Sequence, residues 1–181
     1  MPRTSLHVEP QGPLQVARHY VREIIYGAND GLITTFAVVA GVAGGGLTPR
    51  VVLICGVANL MADGLSMAVG NYLSIRSHES VLEAQGLPEE EAFPWRHAVA
   101  TFAAFVVAGA LPLLPYLLPD YVDRFASSTA LALLAMFVVG ASRSLIANIR
   151  WWTGGAEMMG LGGIVTGVAY GSGALVAGWI G

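Results

Sequence analysis

Long apolar stretches separated by short polar ones occupy most of the 181-residue chain. A helix needs about 20 mostly apolar residues to cross a hydrocarbon core, and five stretches are long enough. The predicted transmembrane spans are residues 24–46, 51–75, 97–118, 125–149 and 158–181. Because lipid cannot satisfy the open edges of a sheet, the pattern predicts an all-α integral membrane protein with five transmembrane helices.

The polar residues outside these spans define the remaining organisation. Residues 1–17 contain three prolines and no apolar h-region, which favours a mobile N-terminal tail over a signal peptide. Residues 18–181 then form a single transmembrane domain. A short acidic link over residues 76–96, with seven charges in 21 residues, joins the second and third spans.

Composition and charge narrow the class of protein. Hydrophobic residues make up 55% of the chain and charged residues 12%, against roughly 25% charge in soluble domains. A net charge of −3 provides no basic surface for nucleic acid. Cys55 is the only cysteine, so a disulfide framework and a thiolate zinc site are excluded. We therefore expect neither a soluble enzyme nor a nucleic-acid-binding protein.

The distribution of arginine predicts the orientation in the membrane. Seven of the nine arginines fall on the side of the N-terminal tail, and only Arg50 and Arg124 fall on the other. Positive residues concentrate on the cytoplasmic side, so the N-terminus is predicted to be cytoplasmic and the C-terminus to lie outside.

Two carboxylates inside the spans are the main chemical signal. Asp30 and Asp63 lie in otherwise uncharged parts of the first and second spans, and no arginine lies near the middle of a span. Ionisable residues at such positions usually mark a functional site. Helical periodicity places polar or small residues on the same faces as the two acids. The predicted pathway between these faces is lined by Glu23, Asp30, Asn59, Asp63, Met67 and Asn71.

The predicted ligands favour a divalent metal ion of intermediate softness. Carboxylate and amide oxygens bind most divalent cations, whereas a thioether such as that of Met67 binds only the softer ones. The set therefore indicates ferrous iron or manganese as a transported ion, with no tightly bound cofactor. Two other roles stay open: Met67 could fill a gap in the core, and Asp63 could bond to a neighbouring hydroxyl.

The link and the tail contain further candidate ligands. Glu79 and Glu83 would share a helical face in the link and could capture cations on the cytoplasmic side, although charge runs more often form a solvated face. His7, His19 and His97 have no partners at ligand spacing, and the spans contain no paired histidines that could bind haem.

Small residues recur every three or four positions in the last span. Gly160, Gly163, Gly167 and Gly171 form a stripe, and such stripes allow helix backbones to approach closely. The stripe fits packing within one subunit and also a homodimer interface, and the sequence leaves both open.

Two motifs resemble the vacuolar iron transporter family. Residues 26–41 (YGANDGLITTFAVVAG) are similar to its first transmembrane helix, and residues 58–72 (ANLMADGLSMAVGNY) to its second. The LPLLP run at residues 111–115 and the glycine-rich residues 160–173 also fit. The resemblance implies a five-helix, dimeric transporter that moves ferrous iron, and often manganese, out of the cytosol by proton antiport. Its location would be the cell membrane in a bacterium or the vacuolar membrane in a eukaryote.

The resemblance assigns some residues and departs at others. Asp30 matches the family's pathway aspartate and Met67 its pathway methionine. Asn59 stands where other members can have glutamate, and Asp63 where they can have glycine, so the acid one turn along would replace the lost charge. Family members with a cytoplasmic metal-binding domain insert it between spans two and three. Here the link is too short for that domain, which implies a short member of the family.

The same pattern of spans and acids leaves two functions other than transport open. Two intramembrane aspartates could form a protease dyad that shares one proton, but those enzymes place one aspartate in a Gly-x-Gly-Asp step. Neither residues 27–30 (GAND) nor residues 60–63 (LMAD) match that step. The other alternative is a membrane assembly protein without transport activity, which predicts no ion flux.

Overall fold

The computed structural model describes residues 4–118, 123–145 and 150–180. The first residues of the predicted tail, the link at residues 119–122, the end of the predicted fourth span and residue 181 lie outside the described residues. Its helices are α1 (Pro13–His19), α2 (Val21–Gly44), α3 (Pro49–Ala84), α4 (Pro94–Gly109), α5 (Leu114–Leu117), α6 (Arg124–Ser142) and α7 (Trp151–Ile180). Short 3₁₀ turns, Leu111–Leu113 and Arg143–Leu145, follow α4 and α6. Within the described residues the fold is all-α, as predicted.

Five helical segments are long and apolar enough to cross a membrane, which confirms the predicted number. They are Val21–Gly44, Pro49–Ala84, Pro94–Leu117, Arg124–Ser142 and Trp151–Ile180. The second segment continues past residue 75 to Ala84, so the first part of the predicted link is helical.

Proline and glycine set several of the helix ends. Pro49 and Pro94 occupy the first positions of α3 and α4, where the missing N–H costs nothing and the fixed φ suits a helix. After α2 and α3, Gly46 and Gly86 take φ values of 67° and 69°, which glycine adopts without a Cβ penalty. These glycines follow the ends of α2 and α3, the two helices that carry Asp30 and Asp63.

Helix α2 is the centre of the bundle and packs against α3, α4, α6 and α7. A Cβ on Gly31 would lie 3.0 Å from the Phe105 Cα of α4, and one on Gly44 would lie 3.1 Å from the Tyr170 Cα of α7. These close approaches need glycine. The fully buried side chains around them include Leu32, Phe36, Val39, Val52, Phe105 and Met136.

Helix α7 uses different glycines for packing than the stripe predicted from the sequence. It contacts α6 through Gly154, Gly155 and Gly162, and α2 through Gly173. Among the described atoms, none lies within 4 Å of a Cβ built on the stripe residues Gly160, Gly163, Gly167 and Gly171. Packing inside this chain therefore does not account for the stripe, and its role in a homodimer stays a prediction.

Candidate metal pathway

The two intramembrane acids lie on helices that pack against each other. Asp30 on α2 and Asp63 on α3 are both half-buried. The Thr34 hydroxyl donates a hydrogen bond of 2.8 Å to the Asp30 backbone carbonyl, which leaves the Asp30 carboxylate to other partners. Among the described ion pairs, none includes Asp30 or Asp63.

A cleft of about 430 Å³ lies between α2, α3 and α4. It brings together Glu23 and Met67 of the predicted set. The Asn71 amide, also on the cleft, donates a hydrogen bond of 2.9 Å to the Thr101 hydroxyl and holds α3 against α4. Met67 also packs against the apolar core, so this side chain contributes to packing as well as lining the cleft.

Asn59 carries a buried amide nitrogen without a hydrogen-bond partner among the described residues. Such groups are uncommon, because burial without a partner costs the desolvation of the amide. Asn59 lies one helical turn before Asp63 on α3. Asn59 therefore lies on the same face of α3 as Asp63, and its role as a ligand stays a prediction.

A second cleft, of about 420 Å³, shares Arg22, Glu23, Asn71 and Ser74 with the first. It reaches Glu79, one of the two predicted capture residues, whereas Glu83 is exposed and does not line it. The Glu79 carboxylate accepts hydrogen bonds from the backbone N–H groups of Glu90 (3.1 Å) and Glu91 (2.8 Å). Glu79 therefore holds the link against α3 through these hydrogen bonds, in addition to lining the cleft.

The structure also forms a histidine cluster from residues that have no partners at ligand spacing in the sequence. His7, His19 and His97 surround the Glu91 carboxylate at nitrogen–oxygen distances of 3.3, 3.4 and 2.9 Å. The four residues come from the tail, α1, α4 and the link, so no local spacing could reveal them. One feature of the sequence does agree with the cluster: all four residues fall on the predicted cytoplasmic side.

This cluster is connected to the pathway through His97. Its Nε2 faces Glu91, and its Nδ1 lies 3.2 Å from the Glu23 carboxylate. Burial alone would raise the pKa of Glu91, but hydrogen bonds from the Phe93 N–H and His97 outweigh it and lower that pKa. Glu91 is therefore an anion at neutral pH, held within reach of three imidazoles.

The tail is attached to the link beside the cluster. The Leu6 N–H donates to the Glu89 carbonyl at 2.8 Å, and the Glu89 N–H donates to the Thr4 carbonyl at 2.9 Å. Arg96 donates to Glu9, and this hydrogen bond lowers the pKa of Glu9. These contacts place His7 over Glu91.

Comparison with protein families agrees with this architecture. The VIT family model matches residues 21–93 and 81–174. The chain belongs to the VIT family. The matched region begins at the start of α2 and reaches into α7, so it includes residues from all five segments that could cross a membrane. This VIT-family chain is an integral membrane protein, and the resemblance inferred from its first two helices is confirmed.

Individual relatives match over different parts of the chain. The vacuolar iron transporter of Toxoplasma gondii is 41% identical over 71 residues, which cover 39% of this chain and 24% of that protein. Vacuolar iron transporter 1 of Arabidopsis thaliana is 24% identical over 234 residues, covering 92% of this chain and 94% of that protein. Vacuolar iron transporter homolog 5 of Oryza sativa is 30% identical over 185 residues, covering 92% and 89%.

The alignment with the Arabidopsis protein is longer than this chain. It spans 234 positions, more than the 181 residues of this chain, so that protein has residues without a counterpart here. This difference is consistent with a short VIT-family member.

Proposed function

We propose that this VIT-family protein transports divalent metal cations, and that it moves ferrous iron, with manganese as a second cargo, out of the cytosol in exchange for protons. The observation that carries the proposal is the pair of half-buried acids, Asp30 and Asp63, on adjacent membrane-crossing helices. Relatives named vacuolar iron transporters support iron as the cargo.

The clefts suggest the route to the acid pair. Two connected clefts lead from the end of the bundle at Glu79 to Glu23 and Met67. The metal ion would enter there, exchange some of its water for the Glu23 carboxylate and the Met67 thioether, and pass to Asp30, Asp63 and Asn59. A thioether on this route favours ferrous iron or manganese over magnesium.

The chemistry of the two acids supports exchange with protons. A carboxylate can bind either a proton or a metal ion. A divalent cation and protons would therefore compete for Asp30 and Asp63. Binding of the metal ion would release a proton, and protonation from the other side would release the metal ion.

The open side of α3 supports a homodimer. Half-exposed acids in the middle of a span need cover from protein or water, because charge in contact with lipid is costly. Small side chains on this outer side leave room for another helix. They are Cys55, Ala58, Ala62 and Ser66, all of which are exposed. A second copy of the chain would close the pathway along this side.

The test is uptake of ferrous iron into proteoliposomes with an imposed pH gradient. Asp30→Asn removes one charge from the acid pair and should abolish uptake, while size-exclusion chromatography and circular dichroism show an intact helical protein. Glu157→Gln removes a charge from an exposed ion pair with Arg143 and should leave uptake unchanged. Normal uptake by Asp30→Asn would overturn the pathway, and uptake that ignores the pH gradient would overturn the antiport.

A further inference from the structure

The histidine cluster has the composition of a metal site that is separate from the acid pair. Ligand atoms of His7, His19 and Glu91 all lie within 4.8 Å of one another. They combine two imidazoles with one carboxylate. Two histidines and one carboxylate, with the remaining positions open to water, are a set that binds ferrous iron in other proteins.

The distances within the cluster suit direct coordination. Bonds from a metal ion to nitrogen or oxygen are about 2.0–2.2 Å long, which puts neighbouring ligands roughly 2.9–3.5 Å apart in octahedral or tetrahedral geometry. Nδ1 of His7 lies 3.3 Å from Oε1 of Glu91, and Nε2 of His19 lies 3.4 Å from its Oε2. Small side-chain rotations would bring all three ligands around one ion.

The burial of His7 and the unpaired nitrogen of His19 also support a metal site. The His7 side chain is only 7% exposed. The buried Nε2 of His19 has no hydrogen-bond partner among the described residues, although it faces Glu91. A metal ion would satisfy this nitrogen, whereas an ordinary surface histidine would be satisfied by water.

His97 occupies the position of a group that orients a ligand. It lies between two carboxylates, with Nε2 2.9 Å from Glu91 and Nδ1 3.2 Å from Glu23. Groups that hold a ligand in this way typically change metal affinity by about 10–100-fold when they are removed. His97 is therefore a positioning residue, and the direct ligands are the other three.

We propose that His7, His19 and Glu91 form a binding site for a divalent first-row transition metal ion, which fastens the N-terminal tail to the link over the mouth of the second cleft. The site is distinct from the acid pair, because none of its three ligands belongs to that pair. It uses imidazole nitrogen from the tail and α1, and so selects against magnesium and calcium, which prefer oxygen ligands.

The experiment titrates the purified full-length protein in detergent with Co²⁺, whose visible absorption responds to imidazole ligands and stands in for that of ferrous iron. The wild type should bind Co²⁺ with nitrogen-type bands that excess Mg²⁺ does not remove. The double variant His7→Ala/His19→Ala should lose these bands. His78→Ala is the matched control, because His78 lies at the same end but pairs with Glu90, and it should keep them.

Two further variants separate this site from the pathway. His97→Gln should keep the bands but weaken Co²⁺ binding about 10–100-fold. Asp30→Asn should leave the bands unchanged, together with the Co²⁺ affinity measured from those bands. The proposal is overturned if the wild type shows no such bands, if the double variant keeps them, or if Asp30→Asn removes them. Iron uptake by Asp30→Asn together with intact Co²⁺ bands would overturn only the proposed transport pathway.

Discussion

The close approach of α2 to α4 next to Asp30 yields a prediction that can be worked through quantitatively. In Gly31→Ala, the new methyl group would lie 3.0 Å from the Phe105 Cα and closer still to its carbonyl oxygen. Carbon atoms in favourable contact are about 3.5–4.0 Å apart, so the two helices must separate by at least about half an ångström. Both obstructing atoms belong to the backbone, which cannot rotate away as a side chain can.

The expected cost follows from two opposing effects. Overpacking of a well-packed core costs about 1–3 kcal/mol, and a clash with backbone belongs at the upper end of that range. Alanine favours the helical state by about 1 kcal/mol relative to glycine. The net destabilisation is then about 2 kcal/mol, which for a chain of this length lowers Tm by about 4–8 °C.

Thermal unfolding of the purified protein in detergent, followed by tryptophan fluorescence, measures this change. Gly70→Ala is the matched control, because a Cβ there meets no described atom within 4 Å and the same gain in helix propensity applies. Its Tm should stay the same or rise. If Gly31→Ala were as stable as Gly70→Ala, the close packing of α2 on α4 would be refuted.

Two further predictions concern the pathway and the dimer. Met67→Ala should slow transport of Fe²⁺ and Co²⁺ more than that of Mg²⁺ in proteoliposomes, because only the softer ions use a thioether; an equal loss for all three ions would mean that Met67 only packs. Since Cys55 is the only cysteine and is exposed on α3, a bismaleimide should join two copies into a product of twice the 18.9 kDa chain mass. Cys55→Ser should give no cross-linked product. If the wild type gives no cross-linked product either, an interface on this side of α3 is contradicted.

The number of membrane-crossing helices could be predicted from the sequence because lipid imposes a strict requirement. Each span must satisfy its own backbone and present an apolar surface, and both demands are visible as hydropathy. The end of α3 was not predictable in this way. Between residue 75 and Ala84 the helix has six polar or charged residues among nine, and a helix that leaves the apolar core no longer needs an apolar sequence.

The two groups of candidate ligands differ in how visible they are in sequence. Asp30 and Asp63 stand out because each interrupts an apolar run, so a single position carries the signal. His7 and Glu91 become neighbours only through tertiary structure, since the tail pairs with the link at Glu89. Local spacing contains no trace of that contact, so the cluster could not be predicted from the sequence.

Glu23 is the point at which these two groups of ligands meet. It is buried, lines both clefts and faces Nδ1 of His97. The second cleft is lined by four acidic side chains, Glu23, Glu79, Glu90 and Glu91, against one arginine, Arg22. A cleft with an excess of one sign of charge concentrates counter-ions. The acidic excess around Glu23 is therefore a physical reason for divalent cations to gather in this cleft, and it supports the proposed entry of the metal ion there.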